Sequence, residues 1–376
     1  MSDLIVIIMI VFSIIGAIDK AFGNKIGLGI HFEEGFKAMG SLALTMLGIY
    51  TISPLIAKFI SPLLIPIFKI TGIDPSIFMG IFLAPDMGGF NASKIIAMNN
   101  DIGLFSGLII SSMLGATLIF TIPIALGILN ENDKEIFSKG ILYGIITIPI
   151  GSLISGIMMN IDFNILLLNH IPIMLFSVII SLSLFLFPQK LFKIFDIFNK
   201  LILLLSTLGL IIGILKFTLG INIFDGIIPF EEGFIVVGKI AIILSGAYPL
   251  VIFISNKLEK PLKLLGKYLN INENSVLGII TSLINAIPMI SIYDKMDERG
   301  KIINSAFAVS SSFVFGGQMA FVLGVSPNTI VPFVIGKLVA GISSIVLVIV
   351  TTKEYSVSFN VNKVKRRRLI FKGKKI

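Results

Sequence analysis

The pentapeptide Phe32-Glu33-Glu34-Gly35-Phe36 recurs as Phe230-Glu231-Glu232-Gly233-Phe234, and the same offset aligns Gly40 with Gly238, Ala43 with Ala241, Gly48 with Gly246, Tyr50 with Tyr248 and Gly80 with Gly278. With two more residues of shift, Ser111-Ser112 aligns with Ser311-Ser312. A chain carrying one pattern twice has to fold as two related halves, because what one half must bury the other must bury too. Each half is strongly apolar. Hydrophobic runs fall at 4–18, 36–57, 75–98, 103–129, 140–160, 171–188, 200–217, 233–255, 274–293, 302–324 and 328–352. With 55% hydrophobic residues, 14% charged residues and a mean hydropathy of +1.01, these runs define an all-α polytopic membrane protein. No lysine-rich stretch precedes 4–18 and no small-residue cleavage site follows it, so that run is read as a retained span.

Two pieces between the runs, 58–70 and 257–269, mix lysine with apolar residues and are expected to lie as helices in the interface. The expected division is a first repeat at 1–160, a linker helix at 161–199, a second repeat at 200–352 and a basic tail at 353–376. The tail carries Lys363, Lys365, Arg366, Arg367, Arg368, Lys372, Lys374 and Lys375. After a membrane span, such a run is a cytoplasmic anchor for anionic lipid headgroups rather than a nucleic-acid site.

Charge then bears on how the runs cross. If all eleven span, lysines and arginines are spread over both faces. If 75–98 and 274–293 instead enter and leave on one side, only Lys58, Lys69, Lys94 and Lys216 remain opposite the tail, apart from Lys239 and Lys337 within spans. Nine spans plus two re-entrant hairpins therefore fit the positive-inside rule best, with eleven full spans as the alternative. About nine helical residues per arm rise ~13 Å, near half of a ~30 Å core. An odd number of spans between equivalent points makes the two repeats inverted, a layout that puts a site at the interruptions.

Those interruptions carry the candidate site residues. Pro85-Asp86-Met87-Gly88-Gly89-Phe90-Asn91 places a carboxylate beside a proline and two glycines inside an apolar run, where neither charge nor broken backbone meets bulk water. Asn285-Ala286-Ile287-Pro288 is the second tip. The expected binding set is Asp86, Gly88, Gly89, Asn91, Asn285 and Gln318, the last in a serine- and glycine-broken midpoint of 302–324. Glu33, Glu34, Glu231 and Glu232 are read as helix-start caps, with ion coupling as the alternative. Lys239 and Lys337 are expected to snorkel toward an interface, the alternative being countercharge to Asp86. Cysteine is absent, and His31 and His170 are too few and too separated for a zinc site. No nucleophile–base pair can be assembled, so neither an enzyme nor a cofactor or metal is expected.

The two FEEGF motifs, Gly40, Ala43 and the Asp86-Met87-Gly88-Gly89-Phe90 tip resemble the EutH family of ethanolamine utilisation membrane proteins, over nearly the whole chain up to Lys353. The resemblance implies a bacterial inner-membrane permease, C-terminus cytoplasmic, that brings ethanolamine in for catabolism. It assigns no substrate-contact residue and leaves the oligomeric state open. The order of interfacial helix, hairpin and two spans, taken twice, is also similar in layout to concentrative nucleoside transporters. A cation-coupled carrier of another small polar solute, or a scaffold or receptor without transport, are the alternatives.

Overall fold

The computed structural model describes residues 2–257 and 259–352, so the basic tail lies outside the described residues. All regular structure among them is helical. The helices are α1 (Ser2–Ala21), α2 (Gly29–Thr71), α3 (Ser76–Phe82), α4 (Phe90–Ile96), α5 (Asn100–Ile128), α6 (Glu131–Met158), α7 (Phe163–Leu186), α8 (Pro188–Leu219), α9 (Phe230–Lys257), α10 (Glu259–Leu269), α11 (Glu273–Ile284), α12 (Ala286–Ser291), α13 (Glu298–Ser311), α14 (Gly317–Val325) and α15 (Ile330–Thr351). Eight of these, α1, α2, α5 to α9 and α15, have stretches long and apolar enough to cross a membrane. The most enclosed is α5, whose interior, Phe105–Gly115 and Thr117–Thr121, is wound as a wide π-helix.

Neither interrupted run is one helix. In 75–98, α3 and α4 have seven residues each, and in 273–291 the arms α11 and α12 have 12 and six. At 1.5 Å per residue none of these single arms reaches across a ~30 Å core. The ends of each run are tied together by polar side chains. Asp74 Oδ2 accepts from Met98 N at 2.9 Å and Asn99 N at 2.8 Å, while Asp74 Oδ1 accepts from Ser76 N at 2.9 Å. The second run closes in the same manner: Asn272 N donates to Asp297 Oδ1 at 2.8 Å, and Asn272 Nδ2 donates to the Lys295 carbonyl at 2.9 Å. Each segment thus leaves the helix before it and returns to the same point.

Small residues let the two sequence copies meet reciprocally. A Cβ on Gly35 of α2 would lie 2.5 Å from Ser245 Cα of α9, and one on Gly233 of α9 would lie 2.6 Å from Leu47 Cδ2 of α2. Positions 47 and 245 are equivalent under the repeat offset, so each motif glycine faces the other copy's counterpart. Likewise Gly246 approaches the Met9 carbonyl of α1, and Gly48 the Ser206 carbonyl of α8, so α1 packs on α9 and α8 on α2. Within each copy, Gly80 admits Ser106 and Gly278 admits Asn304. Close helix contact of this kind is how membrane helices gain dispersion energy where lipid offers no hydrophobic drive.

One expectation differs in detail. The piece 58–70 is not a separate interfacial helix; it continues α2, which runs 43 residues through Pro54, Pro62 and Pro66. At about 65 Å such a helix overruns the ~30 Å core, so its proline-bearing end leaves the hydrocarbon or lies along it. In the second copy the equivalent residues are helical over Glu259–Leu269 (α10). Within the expected linker, α8 starts at Pro188, with the proline at the helix start where its missing N–H costs nothing.

Candidate functional site

Irregular backbone at the first tip has specific causes. Ala84 is extended, its carbonyl accepts from Met87 N at 3.1 Å and Gly89 N at 2.9 Å, and Gly88 takes φ +87°, a left-handed value that favours glycine. A Cβ at Gly89 would sit 2.6 Å from the Ala84 and Leu83 carbonyls, and one at Gly115 of α5 would sit 2.1 Å from the Leu83 carbonyl. Gly88 and Gly89 therefore shape the turn, and Gly115 seats it against α5. On its other sides the tip packs on α2 near Ile49 and Ser53, and on α14.

The second tip is seated equivalently. Phe313 N donates to the Ser282 carbonyl at 3.1 Å and Phe315 N to the Leu283 carbonyl at 2.9 Å, while a Cβ at Gly316 would lie 1.9 Å from the Ile284 carbonyl. These bonds pair with the break between α13 and α14, where Phe313 adopts φ +63°. Asn285 is extended, and its Oδ1 accepts from Ile287 N at 2.9 Å, capping α12. Reciprocity holds here as well, since the first tip rests on α14 and α12 rests on the 122–128 end of α5.

Near the first tip lies a buried lysine. Lys337, midway along α15, is 1% exposed, and its Nζ donates to the Ser112 carbonyl at 2.6 Å and to Gln318 Oε1 at 2.9 Å. The Phe333 ring centroid is 5.3 Å from the same nitrogen. The expectation that Lys337 snorkels is wrong. Gly336 and Gly341 let α6 and α13 close over α15, and the ammonium turns inward to two fixed acceptors. Lys239, by contrast, is exposed. Asp86 and Lys337 act on one another electrostatically, yet among the described residues no side chain, Lys337 included, hydrogen-bonds the Asp86 carboxylate.

The remaining candidates divide. Asn91, two residues beyond the tip, is directed at the Tyr50 hydroxyl, and its Nδ2 is buried without a partner in good hydrogen-bond geometry. Such an orphaned donor is costly and marks a place for an acceptor. Tyr50 in turn feels the charge of Glu232, and its repeat counterpart Tyr248 feels that of Glu34. Gln318 is engaged by Lys337. Glu231 and Glu232 stand in the first turn of α9, where acids favour the helix dipole. Glu33 and Glu34 do not cap α2, which starts at Gly29. Its start is held by Asp19, whose carboxylate accepts from Ile26, Leu28 and Gly29 N at 2.8 Å each. Glu33 instead pairs with Lys20 and Lys37, and Glu34 with His31. Sequence reading overlooked the Ser112 carbonyl, Tyr50 and the closing acids Asp74 and Asp297; an Asp or Asn at both ends of an apolar run was the available signal for the last two.

These features define a class: a polytopic helical membrane protein with a buried polar cluster of Lys337, Gln318 and the Ser112 carbonyl near the first interrupted segment. Residues 1–351 match the family described as "Ethanolamine utilisation protein, EutH". The chain belongs to that family. It is 45% identical over 344 residues to the "Probable ethanolamine permease EutH" of Listeria monocytogenes serotype 1/2a (strain 10403S), covering 92% of both chains. It is 38% identical over 383 aligned residues to the protein of the same name from Salmonella typhimurium, covering 92% of this chain and 94% of that one. The "Uncharacterized protein YxeR" of Bacillus subtilis is also 38% identical, over 343 residues, with 91% and 93% covered. No solved structure matches.

Proposed function

We propose that the protein carries ethanolamine into the cell across the bacterial cytoplasmic membrane, taking it as the ammonium ion. Family membership over the whole described chain supports the substrate. The observation that carries the site is Asp86: a carboxylate at a broken tip, with no side chain hydrogen-bonded to it among the described residues. A charge so placed in hydrocarbon calls for a cationic partner during part of the cycle. Protonated ethanolamine offers it three donors. Its hydroxyl then reaches the orphaned Asn91 Nδ2, with Tyr50 behind it. Asn285, already capping α12, is a weaker second ligand through its remaining amide hydrogens. Glu34 and Glu232, each facing a tyrosine of the other copy, line the two approaches.

In this reading the tied ends of 75–98 and 273–295 make them re-entrant hairpins, entering from opposite faces in inverted repeats. The C-terminus is cytoplasmic, where the basic tail meets anionic lipid. The test is calorimetry on folded protein in nanodiscs. Asp86→Asn keeps the shape and removes the charge, so ethanolamine affinity should fall by about a hundredfold, the loss of a charge-assisted bond of about 3 kcal/mol. Asn91→Ala should cost about tenfold, one buried hydrogen bond, and Asn285→Ala less. Unchanged affinity in Asp86→Asn rules out this site.

A further inference from the structure

We infer that the cavity between α6, α13 and the α7–α8 corner holds one phospholipid with a zwitterionic headgroup, a phosphodiester that carries a primary ammonium. The cavity has a volume of about 1250 Å³ and is lined from the ends of four membrane-crossing helices: Glu135 early in α6, Leu184 late in α7, Pro188 at the start of α8 and Thr352 just past α15. None of its lining residues belongs to either tip. On α6 the wall runs from Glu135 to Tyr143, eight residues or ~12 Å of helix, so the cavity descends from the polar helix ends into an apolar zone with Leu142 and the buried Leu184. That depth matches a headgroup and glycerol layer with the first part of the acyl chains below it. At the lip, Phe185 is 75% exposed and Phe187 56% exposed, which leaves aromatic rings where chains and headgroups meet.

Six charged side chains line the cavity, and three of them are engaged within the protein. Lys139 pairs with Glu135 at 3.0 Å, and Asp297 Oδ1 accepts from Asn272 N at 2.8 Å and Ser275 Oγ at 2.7 Å. That leaves Lys190, Arg299 and Glu298, none of which hydrogen-bonds or ion-pairs with another side chain among the described residues. Lys190 Nζ has only the Phe187 ring, with the centroid 5.4 Å away, and Arg299 Nε is buried with no acceptor. A guanidinium and an ammonium in want of acceptors fit a phosphate, which takes the fork of the one and the point charge of the other. Glu298, the neighbour of Arg299 in the first turn of α13, then accepts from the headgroup amine, which offers three N–H donors. Charge selects among lipids accordingly. An anionic headgroup would satisfy the two cations and leave Glu298 repelled, while a trimethylated amine would bring that carboxylate no N–H.

The experiment titrates purified, delipidated full-length protein in detergent with phosphatidylethanolamine, phosphatidylcholine or phosphatidylglycerol of the same acyl chains, and counts retained lipid by native mass spectrometry. Wild-type protein should hold one phosphatidylethanolamine about tenfold more tightly than phosphatidylcholine, the worth of about one charge-assisted hydrogen bond. Arg299→Gln and Lys190→Gln should each weaken that binding about tenfold, and Glu298→Gln should remove the preference over phosphatidylcholine while leaving phosphatidylcholine binding as it was. Soluble glycerophosphoethanolamine at the same concentration should not displace the lipid. Displacement by it would make the occupant a free phosphate ester and overturn the inference. Equal retention of phosphatidylethanolamine and phosphatidylcholine by the wild type overturns it too. So does a preference for phosphatidylglycerol that ignores all three substitutions, the behaviour of lipid held by the basic tail alone. If Arg299→Gln does not fold, Lys190→Gln and Glu298→Gln decide.

Discussion

Asp74 and Glu33 show how differently two carboxylates in one chain are used. Asp74 is 3% exposed and accepts three backbone N–H groups that would otherwise be orphaned at the ends of α3 and α4. Its own N–H donates to Asn169 of α7 at 2.7 Å. Asp74→Ala should therefore destabilise the protein by about 3 kcal/mol or more, seen as a lower thermal midpoint in detergent, since bonds to a charged acceptor are worth about 1.5–3 kcal/mol each. Glu33→Gln removes only a solvent-facing pair of lysine contacts, and its midpoint should stay close to wild type. Sequence alone marked Glu33 through its repeated motif and passed over Asp74, whose repeat counterpart is Asn272 and whose value depends on two chain ends meeting in space. Lys337 was misjudged for a related reason. An apolar helix with one lysine reads the same whether the amine turns outward or inward, and only the neighbours packed on Gly336 and Gly341 decide it.

At the scale of elements, the sequence marked both interruptions and the pairing of the halves, because glycine, proline and asparagine inside apolar runs interrupt helices wherever they occur. It did not reveal that 58–70 prolongs α2, since prolines at 54, 62 and 66 argue for a break that the surrounding contacts override. It also could not show that the middle of α5 winds as a π-helix against both α3 and α6. The proposed re-entry of 75–98 makes a direct demand on labelling. Thr71 and Asp101 are exposed and flank the closing bonds, and with no native cysteine in the chain Thr71→Cys and Asp101→Cys can each be probed without background. Both should react with a membrane-impermeant maleimide from the same side of intact cells. Reaction from opposite sides would mean that the segment crosses.

For the molecule as a whole, the contacts of Gly35 with Ser245 and of Gly233 with Leu47 join α2 and α9 reciprocally, and each interrupted segment touches a helix of the other sequence copy. A rocking of one half against the other would move both tips together, which is the motion that alternating access needs. The class of protein was legible from composition and repeat, and the Asp86 tip from its cost in hydrocarbon. The Lys337–Gln318–Ser112 cluster was not, because its members lie on three elements far apart in the chain. The central claim is that this chain alone moves ethanolamine through a site built on Asp86. The direct measurement is uptake of labelled ethanolamine into vesicles holding only this protein, compared with vesicles holding folded Asp86→Asn and with protein-free vesicles. Saturable uptake by the wild type, competed by unlabelled ethanolamine and reduced to the protein-free rate by Asp86→Asn, is the predicted result; wild-type uptake no faster than the protein-free leak would contradict it.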